Sequence, residues 1–197
     1  EEENIPNLLD EIGKAFLDNN NFEVVIVDDG SPVSLEDVLK DKSYSFKTII
    51  ISNKYNLGQS KSIEVGLKNS TGEVIGLIDA DCQNPPEELK KLYEYFNNNN
   101  LDAVISYRKN RKDESLRKII SKLANLILKI FTKSKFKDLG SSLKVIKRSC
   151  LESISFKGDM HRFISPMLQA RGFSIAELEV LHAERTKGVS KYGFGRI

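Results

Sequence analysis

The sequence predicts a single α/β domain with a mostly parallel sheet flanked by helices. Three observations point there. Short β-branched apolar runs alternate with amphipathic stretches from residue 6 to residue 106, the grammar of βαβ units. Two of those runs end abruptly in carboxylates, VDDGS at 27–31 and IDADCQ at 78–83. The chain has 197 residues, enough for one substantial core and hardly for two.

The elements follow in order. PNLLDEIGKAFLD predicts a helix over 6–18, and FEVVIV a strand over 22–27. A short helix starts at Ser34, with Asp37 three residues on completing a capping-box-like start. KTIIIS at 47–52 is the next strand, Gly58 to Lys68 the next helix, and EVIGLI at 73–78 the strand after it. In NPPE, Asn84 is read as the N-cap, Pro85 as the first helical residue and Glu87 as N3, with the helix running to Phe96. LDAVIS at 101–106 is a further strand. YRKNRKDE then reads as a basic loop. A helix over 115–131 gathers Leu116, Ile119, Ile120, Leu123, Ile127 and Ile130 on one face. SSLKVIK at 141–147 alternates like a strand, 160–171 reads as helical, and FSIAELEVLHA as a last strand.

Composition excludes several classes. Forty percent hydrophobic and 29% charged residues describe a soluble globular domain. The two cysteines, Cys82 and Cys150, lack metal-ligand or framework spacing and are read as packing thiols. The longest apolar stretch, LANLILKIF, falls well short of the about 20 residues that cross a bilayer, and no signal-peptide pattern is visible. No GxGxxG follows a strand, which disfavours a dinucleotide-dependent oxidoreductase. The net charge of +2 conceals a split: residues 108–157 hold 15 Lys/Arg against 4 Asp/Glu, leaving the remainder acidic. Such asymmetry predicts a surface that meets an anionic partner. Nucleic acid is disfavoured, because aromatics are not interleaved as base-stacking platforms.

Two carboxylates one residue apart repel each other, and folding alone gives no reason to choose them. Side chains at i and i+2 of an extended segment point to the same side, which suits one divalent ion shared with phosphate oxygens. Magnesium is typically held by one or two carboxylates plus substrate phosphates. Asp79 and Asp81, with Gln83 as a third oxygen ligand, therefore fit Mg²⁺ or Mn²⁺ beside a diphosphate. A solvated turn before a capped helix would also look like DAD.

The wider pattern narrows this. VDDGS, then Asn56-Leu57-Gly58, then GEVIGLIDADCQNPPE resembles the family-two glycosyltransferases of the GT-A fold. HAERTKGVSKY at 182–192, DLGSSLKVIKRS at 138–149 and GDMHRF at 158–163 resemble the branch that moves a sugar from a nucleotide diphosphate to dolichyl or undecaprenyl phosphate. The resemblance covers nearly the whole chain. It implies a GT-A-type, Rossmann-like sheet in one catalytic domain, with about 1–106 binding a UDP- or GDP-linked sugar and about 107–197 the acceptor. It places Asp28, Asp29 and Gly58 at the donor, Asp79, Asp81 and Gln83 at the metal and diphosphate, and Arg185 on the diphosphate, so that Asp81 and Arg185 carry catalysis. Ser190 and Lys191 would belong to a loop closing over the donor, while Arg108 and Arg117 would hold the acceptor phosphate. Further implications are inversion at the anomeric carbon and a location at the cytoplasmic face of a membrane. The basic 115–131 helix could lie on that surface or cover the sheet.

Three departures and alternatives stand beside this. The family's first strand, expected between the strands ending in VDD and DAD, has no counterpart except in the opening glutamates. A related enzyme acting on a sugar hydroxyl would need a base, for which Asp159 is the candidate. An inactive fragment that only binds membrane is the non-enzymatic reading. A processive polysaccharide synthase is disfavoured, because its QxxRW motif needs a tryptophan and this chain has none.

Overall fold

In IPNLLDEIGKA the apolar residues recur at helical spacing. The computed structural model describes residues 2–18, 21–108 and 136–183, and there this stretch is α1 (Ile5–Ala15), after one 3₁₀ turn at Glu2–Asn4. Ile5, Leu8, Leu9, Ile12 and Ala15 are its buried face. The helix ends before the predicted residue 18 because Phe16 leaves helical geometry and packs on Phe22, ring centroids 5.4 Å apart.

The β-branched runs become β1 (Glu23–Asp28) and β2 (Lys47–Ser52), paired in parallel from Glu23↔Lys47 to Asp28↔Ser52. Between them lies α2 (Leu35–Leu39). Its cap is the predicted one, Ser34 Oγ accepting from Asp37 N at 3.3 Å. Leu35, Leu39 and Phe46 join the buried face of α1 in one core.

The second sheet contains β3 (Val74–Leu77), β4 (Ala103–Arg108), β5 (Lys144–Lys147) and β6 (Ile175–Val180), in the order β3-β5-β4-β6. β4 and β6 are parallel, while β5 runs antiparallel to both of its neighbours. That one reversed strand is the exception to the parallel sheet. Alternation along these strands builds two cores. Val104, Leu143, Val145 and Val180 meet Leu89, Leu92 and Phe96 of α4 (Pro86–Asn98) on one face. On the other, Ala103 and Ile146 meet Leu67 of α3 (Gln59–Asn69), Leu151 of α5 (Arg148–Glu152) and Leu168 of α6 (Ile164–Ala170).

β1 and β3 border the two sheets and do not pair with each other. These are the strands expected to flank the family's first strand, and each keeps one edge without a ladder among the described residues. Their apolar side chains are accordingly only half-buried, from Val24 to Val27 and at Val74, Ile75 and Leu77.

Two local expectations are corrected. The N-cap of α4 is Pro85 and not Asn84, with Pro86 opening the helix. Asn84 is drawn away: it is buried, and its Nδ2 donates to Ser142 Oγ at 3.3 Å. The segment 160–171 is two pieces, a 3₁₀ turn Met160–Phe163 followed by α6, because the first turn is tied sideways through His161. Cys82 and Cys150 are free thiols packed in different cores, as expected. The predicted 115–131 helix lies outside the described residues.

Candidate active site

Both acid-ended strands deliver their carboxylates beside the start of α3. At the end of β1, Asp28 is buried and its Oδ1 accepts from Ser31 N at 2.9 Å. This closes a tight turn through Gly30, whose φ of 81° a side chain would strain. A Cβ there would also meet the backbone of Tyr55 and Asn56 at 2.9 Å. The turn is thereby pressed against the loop that leads into α3.

Asp29 holds that loop. Its Oδ1 accepts from Asn53 Nδ2 at 3.0 Å and Leu57 N at 2.8 Å, and its Oδ2 from Gly58 N at 2.8 Å. Burial alone would raise the Asp29 pKa, but these donors outweigh it and hold the carboxyl below its ordinary value. The sign follows. A depressed folded-state pKa contributes stability above the unfolded value of about 3.9, and that contribution is lost as pH falls through the folded value. The stability gap between wild type and Asp29→Asn is expected to narrow as urea unfolding is moved from pH 6 toward pH 3. A gap independent of pH would remove the ionised carboxylate from this account.

At the end of β3, Asp79 Oδ1 accepts from Gln59 Nε2 at 3.0 Å. Asp81 is buried, and its Oδ1 accepts from Gln83 N at 3.1 Å, which fixes the DADCQ turn. The turn needs Cys82 at φ 56°, a left-handed conformation few side chains adopt. Gln83 then meets the described start of the tail motif: Ala183 N donates to Gln83 O at 2.8 Å, and Gln83 Nε2 to Ala183 O at 3.4 Å. His182 Nδ1 lies 3.5 Å from Asn84 Oδ1. His182 and Ala183 thus meet the acidic turn, while Arg185, Ser190 and Lys191 lie outside the described residues, as does Arg117.

The donor set suits a hard cation. Asp79, Asp81 and Gln83 offer two carboxylates and one carboxamide oxygen, and no cluster of three acidic, histidine or cysteine side chains occurs among the described residues. An ion there would complete its shell with a ligand's oxygens, as Mg²⁺ or Mn²⁺ does on a diphosphate.

The GDMHRF segment, expected on the acceptor side, is knit to the same place. Ser60 is buried, and its Oγ accepts from His161 N and bonds His161 Nδ1, both at 3.0 Å. The Ser60 hydroxyl hydrogen can be given to Nδ1 while Oγ accepts the His161 N–H, an arrangement that fits a neutral ring. Burial, aided by Arg162, pushes the His161 pKa down to about 4. His161 is therefore a structural tie, and Ser60→Ala should loosen the GDMHRF turn by about 1–3 kcal/mol, seen as faster amide exchange at 160–163. Asp159 precedes that turn and caps nothing with its side chain.

Arg108, expected at the acceptor phosphate, lies at the end of β4 in a two-pronged bond with Asp138: Nε to Oδ2 at 2.7 Å and one terminal nitrogen to Oδ1 at 3.1 Å. Asp138 Oδ1 also accepts from Gly140 N at 3.0 Å. Beside them Ser106 and Ser141 share a hydroxyl bond, and Lys144 Nζ donates to Ser141 O. The sequence reading missed Gln59, Ser60, Asp138 and Lys144 as site residues.

Known proteins bear on this arrangement. The model for "Glycosyl transferase family 2" matches residues 1–154. The dodecaprenyl-phosphate galacturonate synthase of Rhizobium johnstonii is 31% identical over all of this chain and 60% of its own length. The undecaprenyl-phosphate 4-deoxy-4-formamido-L-arabinose transferase of Pseudomonas aeruginosa is 36% identical over all of this chain and 59% of its own. The chain thus spans about three fifths of the curated relatives it matches. Among solved structures, a mannosyltransferase from Pyrobaculum calidifontis, determined with GDP-Man and Mn²⁺, superposes with TM-score 0.70 at 16% identity, over 96% of this chain and 55% of that one. The glucosyl-3-phosphoglycerate synthase of Mycobacterium tuberculosis, determined with Mn²⁺ and UDP, gives 0.68 at 18% identity, over 94% and 67%. The structural likeness establishes the GT-A fold, and the sequence match establishes descent: the chain belongs to glycosyl transferase family 2.

Proposed function

We propose that the protein transfers a sugar from a nucleotide-diphosphate sugar, UDP- or GDP-linked, to a polyprenyl phosphate at the inner surface of a membrane. The observation that carries the reading is the convergence of both acid-ended strands on the first turn of α3, in a chain whose curated relatives are named for this transfer along its whole length.

Asp28 and the Gly58 turn held by Asp29 form the nucleoside end of the donor site. Asp79, Asp81 and Gln83 would hold Mg²⁺ or Mn²⁺, which when bound would supply positive charge beside the diphosphate. Arg185 reaches the same diphosphate from the tail that Gln83 docks, with Ser190 and Lys191 closing over the donor. A guanidinium grips phosphate through a planar fork of donors, and a cation aimed at developing charge stabilises it. Residues from about 107 onward take the acceptor, with Arg108 and Arg117 facing its phosphate. A phosphate monoester, with a second pKa of about 6, is largely ionised at neutral pH. It attacks the anomeric carbon directly and with inversion, and no side chain need remove a proton. Among the described residues no helix is long and apolar enough to cross a membrane. The basic stretch after residue 108 supplies the attraction to an anionic surface.

The test is incubation of the protein in membranes with a panel of labelled nucleotide sugars and Mn²⁺ or Mg²⁺. Metal-dependent label in an organic-extractable lipid, retained by Asp159→Asn, is the expected result and names the sugar. Transfer only to soluble sugars, abolished in Asp159→Asn, would replace this reading with the hydroxyl-acceptor one.

A further inference from the structure

Lys144 is a buried cation with no part in the chemistry above. It opens β5 at 5% exposure, paired across the ladder with Leu77 of β3 on one side and Ile105 of β4 on the other. Alternation sends Leu143 and Val145 toward α4, so Lys144 shares the opposite face with Ile146, where α3 packs. Asp79 lies two residues beyond Leu77 and so continues that same face, where Gln59 of α3 meets it. On this face the ammonium donates to Ser141 O, within electrostatic reach of Asp79 and of the Arg108–Asp138 pair. Burial pulls its pKa down to about 8, Asp79 and Asp138 hold it up, and Arg108 opposes them. Among the described residues the carboxylates of Asp79 and Asp138 offset the ammonium's burial, and a buried charge persists only when compensated.

We propose that Lys144 is a positioning residue that neutralises Asp79 from beneath, so that the bare DAD turn attracts a divalent ion weakly and captures it only together with the donor's diphosphate. This rests on the metal site assigned under Proposed function. The diphosphate then supplies the missing negative charge along with its oxygens. Metal and donor consequently enter as one unit, and a cation alone has little hold on the site.

Mn²⁺ binding, read by electron paramagnetic resonance of the free ion at fixed neutral pH, tests this. Wild type should bind Mn²⁺ at least about tenfold more tightly with UDP or GDP present than without. Lys144→Met should bind Mn²⁺ without nucleotide about tenfold more tightly than wild type, since a buried unit charge that acts on Asp79 is removed. A gain of affinity cannot come from misfolding. If Lys144→Met does not fold, Lys144→Gln and the wild-type coupling carry the test. Equal Mn²⁺ affinity of wild type with and without nucleotide, or no gain in a folded variant, overturns the proposal. Asp81→Asn separates the two levels. Should it bind Mn²⁺ as wild type does, the metal site itself is misassigned. Should it lose binding while Lys144→Met shows no gain, the Lys144 inference alone fails.

Discussion

Asp81→Asn is expected to lower metal-dependent transfer by about 10²- to 10³-fold, the scale on which one pre-organised electrostatic contact to developing charge is felt. The side chain is buried, and its Oδ1 already receives the Gln83 amide. Asparagine keeps the shape and, through its carboxamide oxygen, that hydrogen bond. What disappears is the negative oxygen that the proposed site would offer to the ion. The loss should therefore appear in kcat and in the metal requirement, with the urea midpoint changed by less than about 1 kcal/mol of stability. Rates within a factor of five of wild type, at saturating Mn²⁺ and donor, would mean that Asp81 shapes the turn and does no more.

Asp138→Ala has the largest expected effect on stability, about 3–5 kcal/mol, because truncating one partner of a buried ion pair strands the other. Arg108 and Asp138 keep side-chain exposures of 11% and 8%. Removing the carboxylate leaves the guanidinium and the nearby Lys144 ammonium without their shared counter-charge, and Gly140 N without an acceptor. Urea unfolding reads the loss directly. The double variant Arg108→Met/Asp138→Leu should recover much of it, since replacing a buried pair by apolar side chains is often neutral. If the single variant costs under 1 kcal/mol, water must reach the pair. The same series bears on function. An arginine so fully engaged can turn to an acceptor phosphate only by giving up part of its bond to Asp138, so Asp138→Asn should lower KM for the lipid if Arg108 grips it.

Much of the fold was legible because it is local. β-branched runs between turn residues gave every described strand to within three residues, and the apolar spacing in LLDEIGKA gave the buried face of α1. Errors arose where a residue's partner is distant. Asn84 satisfies the rules for an N-cap, yet Ser142, 58 positions on, claims its side chain. The reversal of β5 could not be read from SSLKVIK, since alternation marks a strand without giving its direction. The same alternation hid Lys144, because a lysine reads as solvent-facing unless its neighbours are known. The acidic turn itself was visible in the bare sequence, as an electrostatic conflict that asks for a cation. The duty of Asp29 was not, because its donors come from residues 53, 57 and 58.

The first turn of α3 carries a consequence for how this chain can change over time. Gly58, Gln59 and Ser60 are consecutive, and each grips a different part of the molecule: Asp29, Asp79 and His161. A helix rotates by about 100° per residue, so inserting or deleting one residue there would swing all three grips out of reach together. The exposed turn at 99–100, just past the end of α4, should tolerate a change of length far better than 58–60. The three residues work as a keyed joint, with one tooth for each part it locks, and a descendant that lost its spacing would lose its hold on Asp29, Asp79 and His161 in a single event.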